Sequence, residues 1–147
     1  MRKTTLPLAA LAALLLAVPA DAKVRAGAYK GDTDQNRAVT FKVKGGKVRT
    51  FQAGVMTFCS AGGESTFETD AVANVPPIKL KADGRFRWTA PDDTDGVIEM
   101  TVAGRISGGR ARGTVTLRRP HSRYDSGQGM VVFGQCSAER KWTARVR

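Results

Sequence analysis

Apolar and polar residues alternate along most of this chain. In the last segment Trp142, Ala144 and Val146 fall on one face and Lys141, Thr143, Arg145 and Arg147 on the other, the period of two that marks a half-buried β-strand. Val39, Phe41 and Val43 alternate with Thr40, Lys42 and Lys44 and stop at Gly45-Gly46, a two-residue hairpin signal. The return segment carries Phe51, Ala53, Val55 and Thr57 in register with Cys59, so the cysteine is expected to point toward the core. Phe86 and Trp88 repeat the division against Arg85, Arg87 and Thr89. The longest clean hairpin sets Ile98, Met100, Val102 and Ile106, across Ser107-Gly108-Gly109, against Ala111, Gly113, Val115 and Leu117. Arg110, Arg112, Thr114, Thr116 and Arg118 then point outward.

Less regular segments lie between these. Gly27 to Gly31 reads as a short strand with Tyr29 inward, and Asp32 to Asn36 as a polar turn. Ser65 to Val75 is a weaker strand ended by Pro76-Pro77, and Ile78 with Leu80 makes a short segment before the turn at Asp83-Gly84. Asp92 to Gly96 closes a hairpin. Arg119 to Gly129 has no strand pattern and reads as a long loop; Met130 to Phe133 is a short strand leading to Cys136. No helical period of useful length is present. The expected architecture is all-β, a single domain of about eight antiparallel strands, meander-like, forming a sandwich or a flattened barrel. A closed barrel would pair the first strand with the last and remove the exposed edges.

Residues 1–22 read differently. Arg2 and Lys3 precede an apolar run from Leu6 to Val18, which ends at Ala20-Asp21-Ala22, the layout of a secretory signal peptide cleaved after Ala22. The run is too short to span a hydrocarbon core of about 30 Å, so residues 23–147 are expected to form the exported β-domain with no transmembrane anchor. The segment carries Arg2, Lys3 and Asp21, so its removal takes the formal charge from +11 to +10. Such charge on an exported domain points to anionic polymers or envelope surfaces: teichoic-acid-like polymers, lipid head groups, acidic polysaccharide or free nucleic acid. A purely compositional origin, with the charge serving solubility, explains the same number.

Cys59 and Cys136 are the only cysteines. In an oxidising compartment an even count makes a disulfide the expected state. With no His or further Cys at ligand spacing they give no metal site by sequence, and no cofactor is expected.

Several short patterns carry a family resemblance: Gly27-x-Tyr29-x-Gly31, Val39-x-Phe41-x-Val43, Cys59 at the end of the third strand, Val102-x-Gly104-x-Ile106, Ala111-x-Gly113-Thr114, and Cys136 shortly before Trp142-Thr143-Ala144-Arg145. Together they resemble a group of small secreted bacterial β-domains common in actinobacteria and their relatives. The resemblance implies an antiparallel β-fold with one disulfide and implies no activity. The Arg-rich stretch around His121 departs from the group.

The inventory of reactive groups is thin. His121 is the only histidine, and no Gly-x-Ser-x-Gly surrounds a serine, so no catalytic residues are assigned and the chain is read as a non-enzyme. A calcium loop aligned on Gly96 fails, because Pro91 stands at the first ligand position and Val102 at the bidentate one. The basic outer face is the stronger feature. If the strand 110–118 neighbours the last one, Arg110, Arg112 and Arg118 adjoin Lys141, Arg145 and Arg147 in a single polyanion-binding surface. Phe86, Trp88 and Trp142 point inward, leaving mainly Tyr124 for stacking, so sequence-specific nucleic-acid recognition is not expected. Two alternatives stand beside the binder: a small-ligand carrier with a barrel cavity, and a hydrolase built on His121 with Asp125 and a distant serine. The sequence sets no oligomeric state.

Overall fold

The computed structural model describes residues 23–91 and 99–147. Nine strands form one antiparallel sheet: β1 (Gly27–Thr33), β2 (Ala38–Lys44), β3 (Lys47–Ala61), β4 (Glu64–Val72), β5 (Ile78–Lys79), β6 (Arg85–Thr89), β7 (Glu99–Ser107), β8 (Arg110–Asp125) and β9 (Met130–Val146). Their spatial order is β4-β3-β2-β1-β9-β8-β7-β6, and β3 also pairs with β9. The β1–β9 and β3–β9 pairings close a ring through β1, β2, β3 and β9. β8, β7 and β6 continue the sheet past β9, and Phe86 of β6 packs back against Phe41 and Trp142; β4 and β5 pair with β3.

Two features make the partial closure work. The first is a bulge in β3: the register runs Val39↔Ala53 and Thr40↔Gln52, then shifts to Lys42↔Arg49. The extra residue lies at Thr50, whose φ of 51° is left-handed. It changes which residues point inward, from even-numbered Val48 to odd-numbered Phe51, Ala53 and Val55, all buried; such bulges sharpen strand twist and bend. The second is small side chains where β3 meets β9. Gly134 stands opposite Ala61, and a Cβ there would run into the backbone carbonyl of Ser60.

The interior is packed with aromatic rings. Tyr29 stacks on Phe41 at 4.8 Å, Phe41 on Phe51 at 5.8 Å, and Trp142 meets Phe41, Phe51 and Phe86 at 5.8, 5.6 and 6.1 Å. These separations suit offset and edge-on ring pairs. Valines from β2, β3, β7 and β8, with Ile78, Ile106 and Leu117, complete the core. The Tyr29 hydroxyl donates to the carbonyl oxygen of Arg25 at 2.8 Å, and burial pushes its pKa up, with the Arg25 charge opposing.

The sheet departs from the sequence reading in one large respect. Arg119 to Asp125 is not loop: β8 runs on to Asp125 and pairs residue for residue with β9 from Met130 to Arg145. The connection is residues 126–129, with Gly129 at φ 66° and its amide donating to the Asp125 carbonyl at 2.8 Å. Alternation failed as a guide there because the inward positions change from apolar (Val115, Leu117) to ionic (Arg119, His121, Arg123). The first and last strands do pair, from Tyr29↔Val146 to Thr33↔Trp142. The expected signal peptide, the hairpin turn at Asp92 to Gly96 with its calcium test, and Ile98 lie outside the described residues. No helix among the described residues is long and apolar enough to cross a membrane.

Candidate functional site

Cys59 and Cys136 form a disulfide, as an oxidising, extracytoplasmic setting favours. They face each other directly across the β3–β9 ladder and both are 0% exposed. In this region β4, β3, β9 and β8 lie side by side. The inward residues of the middle two strands are small: Cys59, Ala61, Gly134, Cys136 and Ala138. Long side chains from the outer two therefore meet above them.

Arg119 of β8 reaches Asp70 of β4, its Nε donating to Oδ1 at 2.9 Å, and forms a short ion pair with Oε2 of Glu68. Thr57 donates to Asp70 Oδ2 at 2.5 Å. Burial acts to raise the Asp70 carboxyl, but hydrogen bonds from Arg119 and Thr57 and the Arg119 charge outweigh it and hold it below its ordinary value. The bonds to Asp70 and then Glu68 raise Arg119 in turn. His121 sets Nδ1 3.4 Å from Oε1 of Glu68. Arg123 extends the cover, donating to the Ala61 carbonyl at 3.0 Å and pairing with Glu64 at 3.0 Å. The disulfide thus lies beneath an ionic layer. His121 faces Glu68; Asp125, four residues from His121 along the extended strand or about 13 Å, accepts from the amide of Gly127 at 2.9 Å instead.

The opposite end of β8 and β9 carries the basic groups. Arg110 stands directly across from Arg145, and Arg112 from Thr143. Lys30 of β1 stands across from Arg145 on its other side. A groove of about 1300 Å³ crosses this outer face, lined among others by Lys30, Arg105, Arg110, Arg112, Arg145 and Arg147. Among the described residues Asp32 is the one acid in its lining. Arg105 forms a wall of it and donates through Nε to the Asp83 carbonyl at 3.1 Å.

Of the residues picked from sequence, Arg110, Arg112, Arg145 and Arg147 come together in the groove. Lys141 lies across from Thr114 and does not line it. Arg118 is six residues beyond Arg112, about 20 Å along the strand, and pairs with Glu99 at 3.5 Å. Sequence reasoning missed Lys30 and Arg105. Both belong to the outward set of a strand whose inward set is core, and the signal was the outward charge on β1, which flanks β9, and on β7, which flanks β8. It also missed the exposed aromatics: Phe58 packs edge-on against Phe67 at 5.5 Å on the outer face, and Phe133 is 79% exposed.

No protein-family model, curated protein or solved structure matches the chain.

Proposed function

We propose that this protein is a non-enzymatic binding module for anionic extracytoplasmic polymers, and that the polymer lies along the groove over β1, β9 and β8. The observation that carries the reading is the groove's charge: Lys30, Arg110, Arg112, Arg145 and Arg147 converge on it, and among the described residues the only acid in its lining is Asp32. Placing like charges opposite one another, as at Arg110 and Arg145, is unfavourable in a sheet unless an anion compensates. Arginine presents forked donors suited to phosphate, sulfate and carboxylate groups. The packed aromatic interior supports this reading over a carrier with a central cavity, since ring contacts below 6.5 Å occupy the middle of the fold.

The test compares binding of inorganic polyphosphate and of heparin to three forms at fixed, low salt. They are the wild type, the variant Arg110→Gln/Arg112→Gln/Arg145→Gln, and a control losing equal charge elsewhere, Lys44→Gln/Lys47→Gln/Lys79→Gln. Exposed ionic contacts are worth roughly 0.5–1 kcal/mol each, so the groove variant is expected to lose about tenfold or more and the control less than about threefold. Equal losses in the two variants would leave only nonspecific charge attraction and refute the groove.

A further inference from the structure

The layer over the disulfide holds an arrangement that the groove does not explain. Glu68, Cys59, Cys136 and His121 come one each from β4, β3, β9 and β8, four neighbouring strands. One carboxylate oxygen, one imidazole nitrogen and the two sulfurs lie within 4.8 Å of one another. The set is close to what a tetrahedral divalent centre requires. With metal–nitrogen and metal–oxygen bonds of about 2.0–2.2 Å, two ligands on a tetrahedron are separated by about 3.4 Å, and two sulfurs at about 2.3 Å from the metal by about 3.8 Å. His121 Nδ1 and Glu68 Oε1 are already 3.4 Å apart. Only the sulfurs are closer, because they are bonded to each other.

We propose that opening the Cys59–Cys136 bridge converts this cluster into a Cys₂-His-Glu site for a zinc-type divalent cation. With the bridge closed neither sulfur is a thiolate, so the disulfide acts as the gate. The supporting shell is built in either state. Glu68 gives one oxygen to Arg119 and leaves the other toward His121, while Arg119 is held by Asp70 and Asp70 by Thr57. Outer partners of this kind fix the orientation of ligating groups. Asp70 also offsets the Arg119 charge beside the site. Two thiolates and an imidazole with a single carboxylate select a zinc-like ion over magnesium or calcium. The site's His121 lies nine residues along β8 from the groove's Arg112, about 30 Å, and the site stands or falls separately from polymer binding.

The chemistry balances through thiol–disulfide exchange with an external dithiol. Its two thiols are oxidised to a disulfide, and their two electrons and two protons reduce the protein bridge to two thiols. Metal binding then releases those two protons as the thiolates form.

The experiment titrates cobalt(II) into the full-length protein before and after reduction by a phosphine under anaerobic conditions. The phosphine leaves as its oxide, taking the oxygen of one water, whose hydrogens end on the two cysteines. Absorption reads the coordination and far-ultraviolet circular dichroism reads the fold. The expected result is a one-to-one tetrahedral cobalt spectrum with thiolate charge-transfer bands in the reduced protein only, displaced by zinc. His121→Ala should weaken the complex by more than about 100-fold, and Arg119→Gln by the 10- to 100-fold typical of an outer partner. If reduction unfolds the apo form, one equivalent of metal should restore the β spectrum. A reduced protein that binds cobalt only octahedrally, that binds equally well as His121→Ala and Glu68→Gln, or that stays unfolded with metal would overturn the proposal.

Discussion

Trp142→Ala tests the fold at the point where most of it converges. Trp142 is 1% exposed and meets three other rings between 5.6 and 6.1 Å. Its six-membered ring edge lies against Gly104 and Gly113, where an added Cβ would fall 2.7 and 2.5 Å from Cζ2. Those glycines have no side chain to move into the vacated space, and the ring-closing pairings of β9 limit backbone collapse. The loss should therefore sit at the upper end of the 3 to 5 kcal/mol range for Trp→Ala. One effect works the other way. The indole Nε1 is buried and no atom of the described residues accepts from it, so its removal returns part of the roughly 1 to 3 kcal/mol that an unpaired buried donor costs. The net expectation is a loss of about 4 kcal/mol, a large share of the 5 to 15 kcal/mol that holds such a domain together. Trp142→Phe keeps a ring and removes the orphan donor, and should cost less than about 2 kcal/mol. Urea unfolding followed by circular dichroism, with the disulfide intact, measures both. An alanine variant within about 1 kcal/mol of wild type would mean that β9 does not turn its tryptophan into the core.

Two further substitutions probe local physics. Thr50 holds φ at 51°, which costs a β-branched residue about 1 to 3 kcal/mol; after the entropic cost of glycine, Thr50→Gly should raise stability by about 1 kcal/mol in thermal unfolding, and a loss would show that the bulge is unstrained. Asp70 is held below its ordinary carboxylate value of 3.8, so its contribution to stability is complete above that pH and is lost as pH falls from there through the folded-state value. Asp70→Asn should be less stable near neutrality and flatten the decline in stability below about pH 4; parallel wild-type and variant curves in that range would show that the Arg119 network does not stabilise the fold.

The strand pattern was legible wherever one face is apolar. Val39, Phe41, Val43, Trp142 and Ala144 are all buried, and the closing pair of first and last strands follows from the need to remove edges. The pattern lost its meaning beyond Leu117, where inward positions carry charge. Arg119, His121 and Arg123 alternate correctly for a strand but lack the apolar signature that marks one. Their complement was in view, because Glu64, Glu68 and Asp70 also alternate or nearly so on β4, and both sets face the small residues around Cys59 and Cys136. Linking them required knowing that β4, β3, β9 and β8 lie side by side, which is long-range pairing that no local window contains. For the same reason Arg110 and Arg145 were legible as neighbours once their strands were paired, while Lys30 and Arg105 entered only through β1 and β7. The bulge at Thr50 was hidden because it changes facing by a single residue.

The central claim, that the groove is where polyanions bind, is tested most directly by the salt dependence of polyphosphate binding. The logarithm of the binding constant falls with the logarithm of salt concentration with a slope of about −0.7 for each charge neutralised on a single-stranded polyanion. Removing Arg110, Arg112 and Arg145 together should make that slope shallower by about 2, while the control at Lys44, Lys47 and Lys79 leaves it near the wild-type value. A slope unchanged in the groove variant, or reduced equally in the control, would contradict the account.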